Sequence, residues 1–223
     1  MYRLLLCKPA TPCGCTGGGK AHHKLSQRHT LTGMLLAMSD KASASSPSPA
    51  PTTAAAPASV NQAAPAPDMP SSVDSDTHAM RLAMALAHQA LWLSNPNPRV
   101  GCILTAANGS VIASGFTQAA GGPHAEAMAL RQATERGLST VGATAFVTLE
   151  PCSHVGRTPP CCDALIESGI KRVVIGALDP NPQVAGQGLA RLRNAGIEVS
   201  HCLLANESRW LNVGFFSRML RER

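Results

Sequence analysis

Three short segments of the 223-residue chain combine residue types that bind and use a metal ion: His124-Ala125-Glu126, Pro151-Cys152 and Pro160-Cys161. Zinc accepts imidazole nitrogen and thiolate sulfur, and a catalytic zinc keeps three protein ligands and one open position. His124, Cys152 and Cys161 supply such a set for one ion per chain. Water in the open position would have its pKa lowered to around 7. Glu126 lies two residues past the imidazole, near enough to carry a proton from that water to a ring nitrogen and a leaving amine without ligating the metal.

Each residue also has a plainer reading. A cysteine is more often a small core residue than a ligand, and this is the reading for Cys7, Cys13, Cys15, Cys102 and Cys202. Cys161 and Cys162 are neighbours, so at most one points at the metal; Cys161 directly follows the Pro159-Pro160 pair and is the choice. A disulfide between Cys152 and Cys161 fits poorly with the reducing compartment favoured for a chain this long without a good signal peptide. A purely structural zinc would need a fourth protein ligand, for which His154 is the near candidate.

The elements that must bring these segments together follow from periodicity. Asp74-Ser75-Asp76 offers N-cap candidates for a helix with Met80, Met84, Ala87 and Leu91 on one face, ending at Asn95-Pro96-Asn97-Pro98. Val100–Thr105 and Val111–Thr117 read as strands around the hairpin signal Asn108-Gly109. A helix from about His124 to Arg136 stops at Gly137. Strand Ala143–Leu149, helix Pro160–Ser168, strand Val173–Leu178, helix Gly188–Asn194 and strand Ile197–Leu204 then alternate, before a last helix over about Asn206–Leu220. Such alternation implies parallel pairing with right-handed crossovers. The expected fold is α/β, a three-layer α/β/α sandwich around a five-stranded mixed sheet. His124 and Cys161 each fall at a helix start, where the helix dipole favours thiolate over thiol.

This domain is expected over residues 74–223. Ahead of it, 24 of the 33 residues at 41–73 are Ala, Ser or Pro, and only Lys41 and Asp68 are charged. Such a segment offers little to bury and reads as a disordered linker. Residues 1–39 carry Arg3, Lys8, Lys20, Lys24 and Arg28 and no acid, which leaves only +1 of the net +6 to the remainder. Residues 1–40 read either as an extension without a structural role or as an organellar transit peptide; the location is cytoplasmic on the first reading. The near-neutral domain and the 3% aromatic content argue against a nucleic-acid partner. No apolar run reaches the roughly 18 residues of a membrane span.

H-x-E followed by P-C and a second Cys resembles the zinc deaminases of the cytidine/deoxycytidylate type. Most of that superfamily has P-C-x-x-C, whereas here eight residues separate Cys152 from Cys161 and end in Gly156-Arg157-Thr158-Pro159-Pro160. This spacer resembles the deaminase domain of the bifunctional riboflavin-biosynthesis deaminase/reductases. Asn97-Pro98-Arg99-Val100-Gly101, Gly121-Gly122-Pro123-His124-Ala125-Glu126, Thr148-Leu149-Glu150-Pro151-Cys152, Asp179-Pro180-Asn181-Pro182 and Asn212-x-Gly214-Phe215-Phe216 extend the match over about residues 76–220.

The resemblance implies hydrolytic deamination of 2,5-diamino-6-ribosylamino-4(3H)-pyrimidinone 5′-phosphate, with Glu126 as proton shuttle. It places Asn97 near the metal, Arg157, Asp179 and Asn181 at the ribosyl-phosphate end, and His154 in the pocket lining. Thr117 stands where the family often has His. No Gly-rich dinucleotide fingerprint follows a strand, so no reductase domain is expected and a separate reductase becomes an implied partner. A homo-oligomer is the family's usual state. The competing readings are another nucleoside, nucleotide or tRNA deaminase, and a non-catalytic zinc-stabilised module assembled with a reductase.

Overall fold

The computed structural model describes residues 69–221, apart from 157–158 and 182–183. Most of the expected N-terminal extension, and Arg157, therefore lie outside the described residues. Residues 71–73 bond to the hairpin: Ser71 O accepts from Val111 N and Val73 N donates to Gly109 O.

The sheet has five strands, β1 (Gly101–Thr105), β2 (Val111–Phe116), β3 (Thr144–Leu149), β4 (Arg172–Ala177) and β5 (Glu198–His201), in the order β2-β1-β3-β4-β5. β1 runs antiparallel to β2 and β3, while β3, β4 and β5 are parallel. The mixed sheet and its parallel half agree with the sequence reading.

Alternate side chains of each strand enter opposite cores, as the pleat requires. Cys102, Leu104, Ala145, Val147, Val173 and Ile175 pack with α2 (Ala125–Glu135), α3 (Cys161–Glu167) and α4 (Gln187–Asn194). Ile103, Phe146 and Val174 pack with α1 (Asp76–Gln89) and with Leu211 of α5 (Ala205–Leu211). Three layers result. Cys102 is fully buried, as its reading as a core residue requires.

The helix starts follow from local chemistry. Ser75 caps α1, its hydroxyl accepting from His78 N at 3.2 Å. Met80, Met84 and Ala87 are buried as their spacing predicts, but α1 ends at Gln89 and Leu91 is exposed. β5 is shorter than the expected Ile197–Leu204, because Cys202 and Leu204 take positive φ values of 69° and 54° that an extended strand excludes.

The largest departure is the last helix, which is two: α5, then α6 (Val213–Arg221), broken at Asn212. The Asn212 amide is buried and bonds both backbone groups of Arg99, accepting from its N at 2.7 Å and donating to its O at 2.9 Å. A side chain committed to a distant backbone segment fixes the turn there. Apolar periodicity alone cannot show it.

Gly115 on β2 lets α2 lie close to the sheet. A Cβ there would collide with Ala125 O and come within 2.6 Å of Ala129 N. Gly115→Ala is expected to destabilise the chain by about 1–3 kcal/mol through overpacking and to lower metal content, since the start of α2 must shift. Urea unfolding and metal analysis check both.

Candidate active site

His124 is the N-cap of α2 and Cys161 opens α3, while Cys152 follows β3 by three residues. All three therefore lie where strands of an open α/β sheet end and its binding crevices form. The His124 Nδ1 stands 3.3 Å from Cys161 Sγ and 3.6 Å from Cys152 Sγ. The donor atoms of the three residues lie within 4.8 Å of one another, and among the described residues no fourth metal-binding side chain joins them. A tetrahedral ion with Zn–S of about 2.3 Å and Zn–N of about 2.0 Å has donor-to-donor edges of roughly 3.5–3.8 Å. The donor set suits a metal in both chemistry and spacing.

The electrostatics point the same way. Cys152 is drawn down to about 4, first by a hydrogen bond from Cys161, with His124 also contributing. Its sulfur also accepts the Cys161 backbone N–H at 3.3 Å. Cys161 is pushed up, first by that same neighbouring sulfur and then by burial. His124 is raised, chiefly by its hydrogen bond to Cys152. Glu126, only 3% exposed, is raised by burial and then by the Cys152 charge. Two sulfurs and a carboxylate thus compete to be ionised in one place, and a bound cation is what would let them all be so. Cys152 and Cys161 are free thiols, not a disulfide.

The neighbour Cys162 points elsewhere. Its buried thiol donates to Pro151 O at 3.4 Å and to Gly188 O at 3.7 Å, and burial pushes its pKa up to about 12.

The cluster opens on a cavity of about 560 Å³ lined by Asn97, Glu126, His154, Asp179 and Asn181 among others. Asp179 is raised, mainly by burial, and its Oδ1 accepts Asn181 N at 2.8 Å. His154 stands at the cavity and outside the three-donor group. Thr117, also at the wall, is buried, and its Oγ1 accepts Val100 N at 3.0 Å.

Sequence reasoning gave no role to several neighbours. Phe215 and Met219 of α6 line the cavity, placed there by the break at Asn212. Arg191 of α4 joins the two cysteine segments, donating to Ser153 O at 2.8 Å and to the Asp163 carboxylate at 2.7 Å. Glu150 lies buried beside Pro151. Its position directly after an apolar strand and its place within Thr148-Leu149-Glu150-Pro151-Cys152 were the available signals for it.

The family model of the cytidine and deoxycytidylate deaminase zinc-binding region matches residues 73–177. The riboflavin biosynthesis protein RibD of Escherichia coli is 54% identical over 144 residues, which are 65% of this chain and 38% of that protein. The diaminohydroxyphosphoribosylamino-pyrimidine deaminase of Buchnera aphidicola subsp. Schizaphis graminum is 46% identical over 144 residues, covering 95% of its length and 65% of this chain. A crystal structure of a diaminohydroxyphosphoribosylaminopyrimidine deaminase/5-amino-6-(5-phosphoribosylamino)uracil reductase from Thermotoga maritima superimposes with a TM-score of 0.63 at 47% identity, covering 66% of this chain and 42% of that one. The chain spans about two fifths of the length of the RibD relatives it matches.

The geometry separates the two adjacent cysteines experimentally. Cys161→Ala is expected to lose bound metal and Cys162→Ala to keep it, as read by metal analysis of the purified chains. The opposite pattern would reassign the ligand.

Proposed function

Because the chain belongs to the diaminohydroxyphosphoribosylaminopyrimidine deaminases, within the zinc-dependent cytidine and deoxycytidylate deaminase family, we propose that it deaminates 2,5-diamino-6-ribosylamino-4(3H)-pyrimidinone 5′-phosphate. The product is 5-amino-6-(5-phosphoribosylamino)uracil, a step in riboflavin biosynthesis. The observation that carries the reading is the convergence of His124, Cys152 and Cys161 beside a cavity whose wall includes His124, Cys152 and buried Glu126.

His124 Nδ1 and the two cysteine sulfurs would hold one zinc ion per chain. When bound, zinc supplies a Lewis acid and lowers the pKa of a water molecule. In the net reaction one water adds its oxygen to the amino-bearing ring carbon, the carbon–nitrogen bond breaks and ammonia leaves. Glu126 carries one proton of the attacking water to the ring nitrogen and the second, from the new hydroxyl, to the departing amine, which leaves as ammonia while the carbonyl forms. Burial raises its proton affinity, which suits a group that must both accept and return a proton. Asn97, His154, Asp179 and Asn181 line the cavity; on the family pattern Asn97 would bond the ring near the metal and Asp179 and Asn181 would take the ribosyl-phosphate end. The motif assigns Arg157, whose guanidinium fork suits a phosphate, to the far end. A cavity of about 560 Å³ accommodates a nucleotide-sized ligand.

Ligation and proton transfer are separate tasks here, so they separate by mutation. Glu126→Ala is expected to keep one zinc per chain and to lose turnover by about 10²–10⁴-fold; normal turnover would contradict the assigned role. Ammonia release by the wild-type chain is expected with the diaminopyrimidine phosphate and not with cytidine, deoxycytidylate or adenosine-bearing RNA. Preference for any of the latter three would overturn the substrate assignment.

A further inference from the structure

Glu150 follows the last residue of β3 and is 4% exposed. Its two carboxylate oxygens accept three backbone N–H groups. Oε2 takes those of Asp179 at 3.2 Å and Gly186 at 3.0 Å, and Oε1 takes that of Gly188 at 3.0 Å. Gly186 is the N-cap of α4 and has no side chain to satisfy the first amides of that helix. Glu150, just past β3, accepts the N-cap amide and that of Gly188 in the first turn, and its charge suits the positive end of the helix. The approach is tight: a Cβ on Gly188 would collide with Pro151 O and lie 3.1 Å from Oε1.

One carboxylate therefore pins both ends of the segment from Asp179 to Gly188. Between those ends Asp179, Asn181 and Val184 line the cavity. The same residue is joined through Pro151 to Cys152, so the loop is referenced directly to the metal end of β3.

We propose that Glu150 is a positioning residue for substrate binding, which closes this loop and holds Asp179 and Asn181 against the cavity. It acts through backbone amides, with both oxygens already committed to them. The inference rests on the proposed function for the identity of the ligand, and on the hydrogen bonds alone for the closed loop.

The test is Glu150→Gln in the full zinc-loaded chain. Glutamine keeps the shape but turns an NH₂ donor towards backbone donors, leaving the set partly unsatisfied. KM for the diaminopyrimidine phosphate is expected to rise about tenfold while kcat and zinc content stay within about twofold. Amide exchange is expected to quicken at Asp179, Gly186 and Gly188, with β3 and β4 still protected. A merely structural role would lower stability, zinc content and kcat together and would not single out KM. An unchanged KM, or a loss of zinc or kcat in step with it, overturns the proposal. If the Gln variant does not fold, Glu150→Asp, which keeps the carboxylate but draws it back from the three amides, must give the same KM-specific change; any other pattern counts against the clamp. A wild-type chain inactive on this pyrimidine would reject the substrate reading, whereas the exchange pattern judges the clamp by itself.

Discussion

Two sulfurs, an imidazole and a buried carboxylate share one small region, and the charge they would carry together is the constraint on which the rest of the site depends. Cys152 is favoured as the thiolate first by a hydrogen bond from Cys161 and then by His124, and Glu126 is raised by burial and then by the Cys152 charge. Ionising all of them without a compensating charge would be costly in a half-dry site. A divalent ion among the three donors removes the conflict and, by favouring the folded state that binds it, couples metal to fold stability. The carboxylate is left as the group able to exchange a proton.

The scaffold meets that demand by bringing two helix starts and a strand end to one place. Gly115 allows α2 to sit low on β1 and β2, which sets where His124 projects. The Cys161 N–H reaches back to Cys152 across the long spacer, and Arg191 and Cys162 tie the same stretch to α4 and to Pro151. Asn212 fastens the loop after Asn97 to the turn between α5 and α6. Each wall is thus held by a side chain that bonds a backbone far away in the chain.

That division explains what the sequence revealed. Strand positions, the parallel half of the sheet and the helix starts at His124 and Cys161 were readable because periodicity and caps are local properties. The pairing of His124 with Cys152 and Cys161 was readable from residue type, since few functions want those three donors beside a carboxylate. The break at Asn212, the clamp at Glu150 and the bridge at Arg191 were not, because each depends on a partner 28 or more residues distant. Thr117, noted as a departure from the family pattern, proves to be a buried tie to Val100.

The most direct test of the account is X-ray absorption at the zinc edge of the purified, zinc-loaded chain. It predicts two sulfur neighbours at about 2.3 Å and two lighter neighbours at about 2.0 Å, one from imidazole and one from solvent. Replacement of the solvent neighbour by an inhibitor or substrate analogue should change the light shell and leave the sulfurs in place. A shell with three or four sulfurs, or a fourth protein ligand that no added molecule displaces, would contradict the open site on which deamination depends.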